Sequence, residues 1–239
     1  MKRQPLKGLL IFSLFGSKGS LLMSFGLVLV FVIPAIVVGL TPMTGLMIML
    51  LIPAVSFFLH NDAVKTDKTK WNKFQLSLPI RRRDVITSQY VYFLLLVVLA
   101  LLITGFVLGI VYLLDTLNIH QMRWLLDEIE IEPIVETAVH TMSPGHISLI
   151  LTVTGIGSAF LTCALYYPLR YTICRGKEEL TSFLVMFGSI ILMMPVPWLA
   201  GVLELSLMPL TLLLGVLIPT LLLVWSYFFT ARVYQRLDE

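Results

Sequence analysis

The stretch Lys65–Phe93, KTDKTKWNKFQLSLPIRRRDVITSQYVYF, passes from a cluster of cations through a tryptophan and a Leu-Pro dipeptide into an unbroken apolar run. It marks a border between water and hydrocarbon. At about 100° per residue, Val64, Trp71, Phe74 and Leu78 fall in one stripe about 80° wide, with Lys65, Lys70 and Lys73 off it. Asp67 is placed to cap or charge-balance the start of such a helix, and Pro79 disfavours helix at Leu78. The expectation is a short helix joined to the apolar run by Ile80, Arg81, Arg82, Arg83 and Asp84. From these residues alone two readings stand: an interfacial helix anchored by Trp71 with snorkelling lysines, or a handle for a soluble partner.

Outward from that border the chain is too apolar for a water-soluble core. Of its 239 residues 58% are hydrophobic and 13% charged, which places it in a bilayer. About 20 apolar residues of helix cross a hydrocarbon slab of about 30 Å. Six stretches approach that length: Leu21 to Leu40, Met43 to His60, Tyr90 to Leu114, Ile147 to Leu169, Thr181 to Leu199 and Met208 to Ala231.

Sidedness follows from the cations. Of the 17 Lys and Arg residues, all but Arg123 fall in the amino-terminal segment, the loops after the second and fourth spans, or the tail. By the positive-inside rule these face the cytoplasm, as do both termini. The net charge of +3 thus suits an anionic inner leaflet and gives no reason to expect nucleic acid as a partner. Cys163 lies in a span and Cys174 on the cytoplasmic side, so no disulfide framework is expected.

The expected fold class is an all-α membrane protein, a single domain over residues 1–239. Residues 1–20 read as an interfacial helix, because Leu6, Leu9, Leu10, Ile11, Phe12, Leu14 and Phe15 oppose Arg3, Lys7 and Lys18; a frayed extension is the alternative. The apolar run there is short and lacks a small-x-small cleavage site, so it reads as retained. Pro42 makes spans one and two a tight hairpin, and Pro34, Pro53, Pro195, Pro197 and Pro219 are expected to bend their helices. Residues 61–84 form the cytoplasmic loop. Residues 115–146 form an extracellular loop in which Trp124, Ile129, Ile131 and Ile134 interleave with acids, as in short amphipathic helices.

The Lys65–Phe93 stretch also resembles the cytoplasmic loop and third-span start of small bacterial permeases of the ABC-2 exporter class. The residues that carry the resemblance are Trp71, Leu78, Pro79, Arg82, Val85 and Tyr90. A weaker similarity lies in Pro168-Leu169-Arg170-Tyr171 followed by Gly176-Lys177; Glu178-Glu179 departs from the further basic residues of relatives. In type the chain is most similar to exporters of phenol-soluble modulins and antimicrobial peptides.

The resemblance implies a permease subunit in a bacterial plasma membrane, paired with a second permease copy in a homodimer or heterodimer. It also implies a separate ATP-binding cassette ATPase that carries ATP and Mg. Asp67, Lys70, Trp71 and Phe74 would then contact the ATPase, and Arg81, Arg82 and Arg83 would anchor the loop to lipid headgroups or the partner. No cofactor is expected on this chain, which contains no G-x-x-x-x-G-K-[ST] phosphate loop.

Other chemistries find little support. Glu178-Glu179 is similar to the paired glutamates of CAAX-type intramembrane proteases, but Phe183 stands where that motif needs arginine. Gly155-Ile156-Gly157-Ser158 fits close helix packing better than a rhomboid serine. Glu136, His140 and His146 lie around a flexible Pro144-Gly145, so no metal site is expected. The spans hold no Asp, Glu, Lys or Arg away from their ends, which speaks against an ion-coupled carrier. Their hydroxyls, among them Thr152, Thr154, Ser158 and Thr162, either line a pathway for an apolar or amphipathic cargo or bond their own helix backbone. The alternatives outside the exporter class are a stand-alone carrier or channel, and a non-transporting membrane scaffold.

Overall fold

The computed structural model describes residues 8, 30, 49–56, 82–116, 144–172, 178–197 and 213–236. Among these residues the regular structure is entirely helical and contains no strand. Four long helices organise it: α1 (Arg82–Thr116), α2 (Pro144–Thr172), α3 (Glu178–Met193) and α4 (Ile218–Arg236), the last preceded by a π-helical turn at Leu213–Leu217. Four segments are long and apolar enough to cross a membrane, namely Arg83–Ile110, Leu149–Thr172, Leu180–Pro197 and Leu213–Gln235. They correspond to the third to sixth stretches expected from hydropathy.

Of the second expected stretch, residues 49–56 are helical and wholly inside the fold or nearly so. The first, apart from Val30, lies outside the described residues. So do the interfacial helix apart from Gly8, the loop 61–84 apart from Arg82, Arg83 and Asp84, and the extracellular loop apart from its two ends. The boundaries differ from expectation by a few residues at several helix ends, and most tellingly at the start of α1. α1 begins at Arg82, so Arg82, Arg83 and Asp84 belong to the first turn of a helix rather than to a linker.

α2 is the centre of the described bundle. In its spanning stretch 72% of the residues are buried, against 33% for α1 and 28% for α4. It lies against α3, α4 and the π-helical turn, while α1 packs chiefly on α4. α1 buries Ile86, Tyr90, Phe93, Val97, Ala100, Thr104 and Val107. Those positions alternate four and three residues apart, the 3.5-residue period of a seam packed at a shallow crossing angle. The opposite side exposes Leu95, Val98, Leu102 and Phe106, as a lipid-facing surface should.

Prolines shape the helix ends. α3 closes at Met193 because Pro195 has no N–H to continue the ladder. The Met194 amide is instead shared between the carbonyls of Ile190 and Ile191, at 3.1 and 3.2 Å. The wider turn at Leu213–Leu217 falls immediately before Pro219, where a proline next disturbs the register.

That wide turn meets α2 backbone to backbone. A Cβ built on Gly157 would overlap the carbonyl oxygen of Gly215, and one on Gly215 would lie 2.6 Å from Cγ1 of Val153. The Gly-Ile-Gly-Ser run thus serves close approach between helices, which in lipid is a principal source of association energy. Gly157→Val is expected to destabilise the bundle by about 1–3 kcal/mol through overpacking against an unyielding carbonyl. Thermal unfolding of the purified chain in detergent checks this. A control on α3, Gly188→Ala, should not lower the midpoint, since a Cβ at Gly188 meets nothing within 4 Å and alanine is the better helix former.

Candidate functional site

The starting end of α1 and the closing ends of α2 and α4 meet at one end of the bundle. Arg83, Arg170 and Arg232 are carried on those ends. This is the alternation that the cation count requires of successive spans.

Tyrosines hold the three ends together. Tyr90 of α1 stacks on Tyr167 of α2 with ring centroids 4.5 Å apart and meets Tyr227 of α4 edge-on at 5.4 Å. Tyr167 donates its hydroxyl to the backbone carbonyl of Gln89 at 3.1 Å, and Tyr171 donates to Oε1 of the Gln89 side chain at 2.9 Å. Tyr171 also meets Tyr234 of α4 edge-on at 5.1 Å, and the buried Arg170 guanidinium lies 5.5 Å from the Tyr171 ring centroid. Such ring pairs contribute about 0.5–1.5 kcal/mol each beyond the area they bury. The two short motifs singled out in the sequence, the Val85-to-Tyr90 helix start and Pro168-Leu169-Arg170-Tyr171, are therefore one contact in space.

A second network runs through the same place. Pro168 lies inside α2 and has no N–H for the carbonyl four residues earlier, that of Ala164. Ser226 of α4 supplies the missing donor, with Oγ 2.7 Å from the Ala164 oxygen. This fixes the remaining protons, because each hydroxyl has only one. The Ser226 proton is committed to Ala164, so Tyr90 donates to Ser226 at 2.9 Å and Thr230 donates to Tyr90 at 3.2 Å. The chain of donation runs Thr230, Tyr90, Ser226, Ala164, and all three side chains are buried. Beside it Thr87 donates to the Arg83 carbonyl at 2.7 Å, so Tyr227 must donate to Thr87 at 3.0 Å. The Tyr227 oxygen in turn receives Nε–H of Arg83 at 3.4 Å.

Of the site residues expected from sequence, Asp67, Lys70, Trp71, Phe74 and Arg81 lie outside the described residues. Arg82 opens α1, and the exposed Arg83 reaches Tyr227 as above. Thr154, Ser158 and Thr162 are buried on α2 and donate to the carbonyls of Ile150, Gly155 and Ser158 at 2.7–2.8 Å. Thr162 additionally meets the Ser189 hydroxyl of α3. Thr152 is half-buried. Sequence reasoning did not find the tyrosine assembly or the role of Pro168. The available signal was Pro168 next to the end of an apolar stretch; its partner Ser226, two stretches later, carries no local mark.

Interhelical hydrogen bonds in membrane proteins contribute about 0.6 kcal/mol on average and up to about 2 kcal/mol. Tyr90→Phe and Thr230→Val should each lower stability by about 1 kcal/mol, and the double variant by less than their sum. Tyr90→Leu should cost more than Tyr90→Phe, since it also abolishes the stack on Tyr167. A double-variant cycle of chemical unfolding in detergent reads both expectations; strict additivity would refute the bond between Tyr90 and Thr230.

Compared with known proteins, residues 18–127 match the model of a family described as ABC-2 family transporter protein. No curated protein and no solved structure matches the chain. The matched stretch, 110 of the 239 residues, holds both the 61–84 loop and the whole of α1.

Proposed function

We propose that the chain is the permease subunit of an ATP-driven exporter, with six crossings, both termini in the cytoplasm of a bacterial cell, and a separate ATPase bound to the 61–84 loop. The observation that carries this reading is the family match across residues 18–127. It covers the loop, whose cations, Trp71 and Leu-Pro dipeptide resemble a coupling segment, and the helix that continues from it. The gathering of Arg83, Arg170 and Arg232 at one end of the bundle is consistent with that end facing the cytoplasm.

Under this reading two permease copies pair, alike or merely similar, and each binds one ATPase subunit that carries ATP and Mg. Asp67, Lys70, Trp71 and Phe74 form the contact, with Arg81, Arg82 and Arg83 holding the loop at the membrane surface. Closure of the ATPase pair moves the loop, and α1, whose first residue is Arg82, receives that movement directly. The cargo is amphipathic or hydrophobic, a peptide for preference, because the described spans offer hydroxyls and apolar side chains but carry Arg and Asp only towards their ends.

For the test, an ATP-binding cassette ATPase is sought among the reading frames next to that of this chain by its phosphate-loop motif. Co-expressed with it, the chain should retain the ATPase through purification. Trp71→Asp with Phe74→Asp should weaken that retention by roughly 30-fold or more, the loss typical of aromatic anchors at an interface. Undiminished retention by the double variant would contradict the assignment of the loop.

A further inference from the structure

We infer that Arg83 and Tyr227 form a seat for the phosphate of a membrane phospholipid where α1 meets α4. The exposed surface of α1 sets the depth. Its large exposed apolar side chains run from Leu94 to Leu113, about 29 Å of helix at about 1.5 Å per residue, which matches a hydrocarbon layer of about 30 Å. The turns before Leu94 carry Arg83, Asp84, Thr87 and Gln89, so they stand among headgroups and in water. The Arg83 backbone lies about 16 Å beyond Leu94, clear of a headgroup layer about 5–8 Å deep.

A long side chain on a helix ordinarily points back towards the amino terminus, which for Arg83 is away from the bilayer. Arg83 does the reverse. Its Nε–H donates to the Tyr227 hydroxyl at 3.4 Å, and that hydroxyl donates in turn to Thr87, one turn further into α1, at 3.0 Å. The guanidinium is thereby turned back towards the headgroups. Tyr227 engages only Nε, and among the described residues nothing bonds the two terminal nitrogens, which keep the planar fork that matches two phosphate oxygens. Asp84 lies close enough to offset part of the Arg83 charge, so the seat suits a singly charged phosphodiester that is also held by its chains better than a free phosphate ion. Apolar surface for those chains continues from the seat. Along one face of α1, Arg83, Thr87, Val91, Leu94 and Val98 follow one another four or three residues apart. On α4, Phe228 meets Tyr227 edge-on at 5.3 Å, and Phe228 and Val224, one turn deeper, are both exposed. The seat requires only that the chain span a membrane, and rests on neither an ATPase nor a cargo.

Native mass spectrometry of the delipidated full chain in detergent, titrated with phosphatidylglycerol, tests this. The unaltered chain should keep one tightly held lipid. Arg83→Gln should weaken it by roughly 10-fold, the loss of a charge-assisted bond, and Tyr227→Phe, which alters no charge at neutral pH, by about 3-fold, because the guanidinium is then free to swing away from the bilayer. Arg232→Gln removes another exposed cation from the same end of the bundle and should leave the affinity as it was. Equal losses from Arg83→Gln and Arg232→Gln would show general charge attraction in place of a seat, and no loss from Arg83→Gln or from Tyr227→Phe would overturn it as well. Diacylglycerol with the same chains lacks the phosphate and should bind far more weakly; equal binding is the contrary result. Inorganic phosphate should fail to displace the lipid, and displacement at similar concentrations would assign the fork to a free anion. Should Arg83→Gln fail to fold, Arg83→Lys keeps the charge without the fork: weaker retention is expected, and unchanged retention would contradict the seat. Failure of any of these leaves the exporter reading to be judged on its own test.

Discussion

A carbonyl with no donor is costly in hydrocarbon, where water is not at hand to replace the lost bond. α2 creates one at Ala164 by carrying Pro168 inside its last turns, and the described bundle is arranged around its repair. The repair needs a small hydroxyl from a neighbouring helix at that one level, which Ser226 provides. It also needs α4 to pass close beside α2. That approach is secured towards the other end, where Gly157 meets the Gly215 carbonyl with no side chain between them. The Ser226 oxygen remains able to accept, and Tyr90 uses it, so α1 is drawn into the same junction.

The junction explains why α2 is the most enclosed of the four spans. It also gives a physical reason for the aromatic residues at this end. A tyrosine brings both a broad apolar ring and a hydroxyl, so Tyr90, Tyr167 and Tyr171 can pack between helices and still reach carbonyl or hydroxyl partners. Several other buried hydroxyls behave differently. Ser88, Thr104, Thr154 and Ser158 return their protons to carbonyls of their own helix, which lets polar side chains sit inside the bundle without a partner from another helix.

Much of this architecture was legible in the sequence, and the reason is the bilayer. Long apolar runs admit few structures other than helices, so the stretches from Tyr90, Ile147, Thr181 and Met208 read correctly as spans to within several residues. The close-packing role of Gly155-Ile156-Gly157-Ser158 was legible too, since small residues in such a run have few other uses. What hydropathy did not convey was the polar junction. Arg82, Arg83 and Asp84 read as linker because charges usually mark the water side of a boundary, yet α1 starts at Arg82 and Arg83 is held by Tyr227. Pro168 read as the end of a span, whereas α2 continues to Thr172. A proline is tolerated inside a membrane helix when a neighbour supplies the missing bond, and that neighbour, Ser226, lies far away in sequence and carries no local mark. The pairing of Gln89 with Tyr167 and Tyr171 is equally non-local.

The state of one carbonyl is therefore the quantity to measure. Labelling alanine at the carbonyl carbon with 13C and leucine with 15N selects the Ala-Leu pairs of the chain, Ala100-Leu101 and Ala164-Leu165, in a carbonyl-to-amide correlation spectrum of the detergent-solubilised protein. Substituting Ser226 by alanine should move the Ala164 carbonyl resonance in the direction of a lost hydrogen bond while that of Ala100, bonded to Thr104 within its own helix, stays in place. An Ala164 resonance that does not respond would mean that Ser226 is not its donor, and the junction described here would not exist.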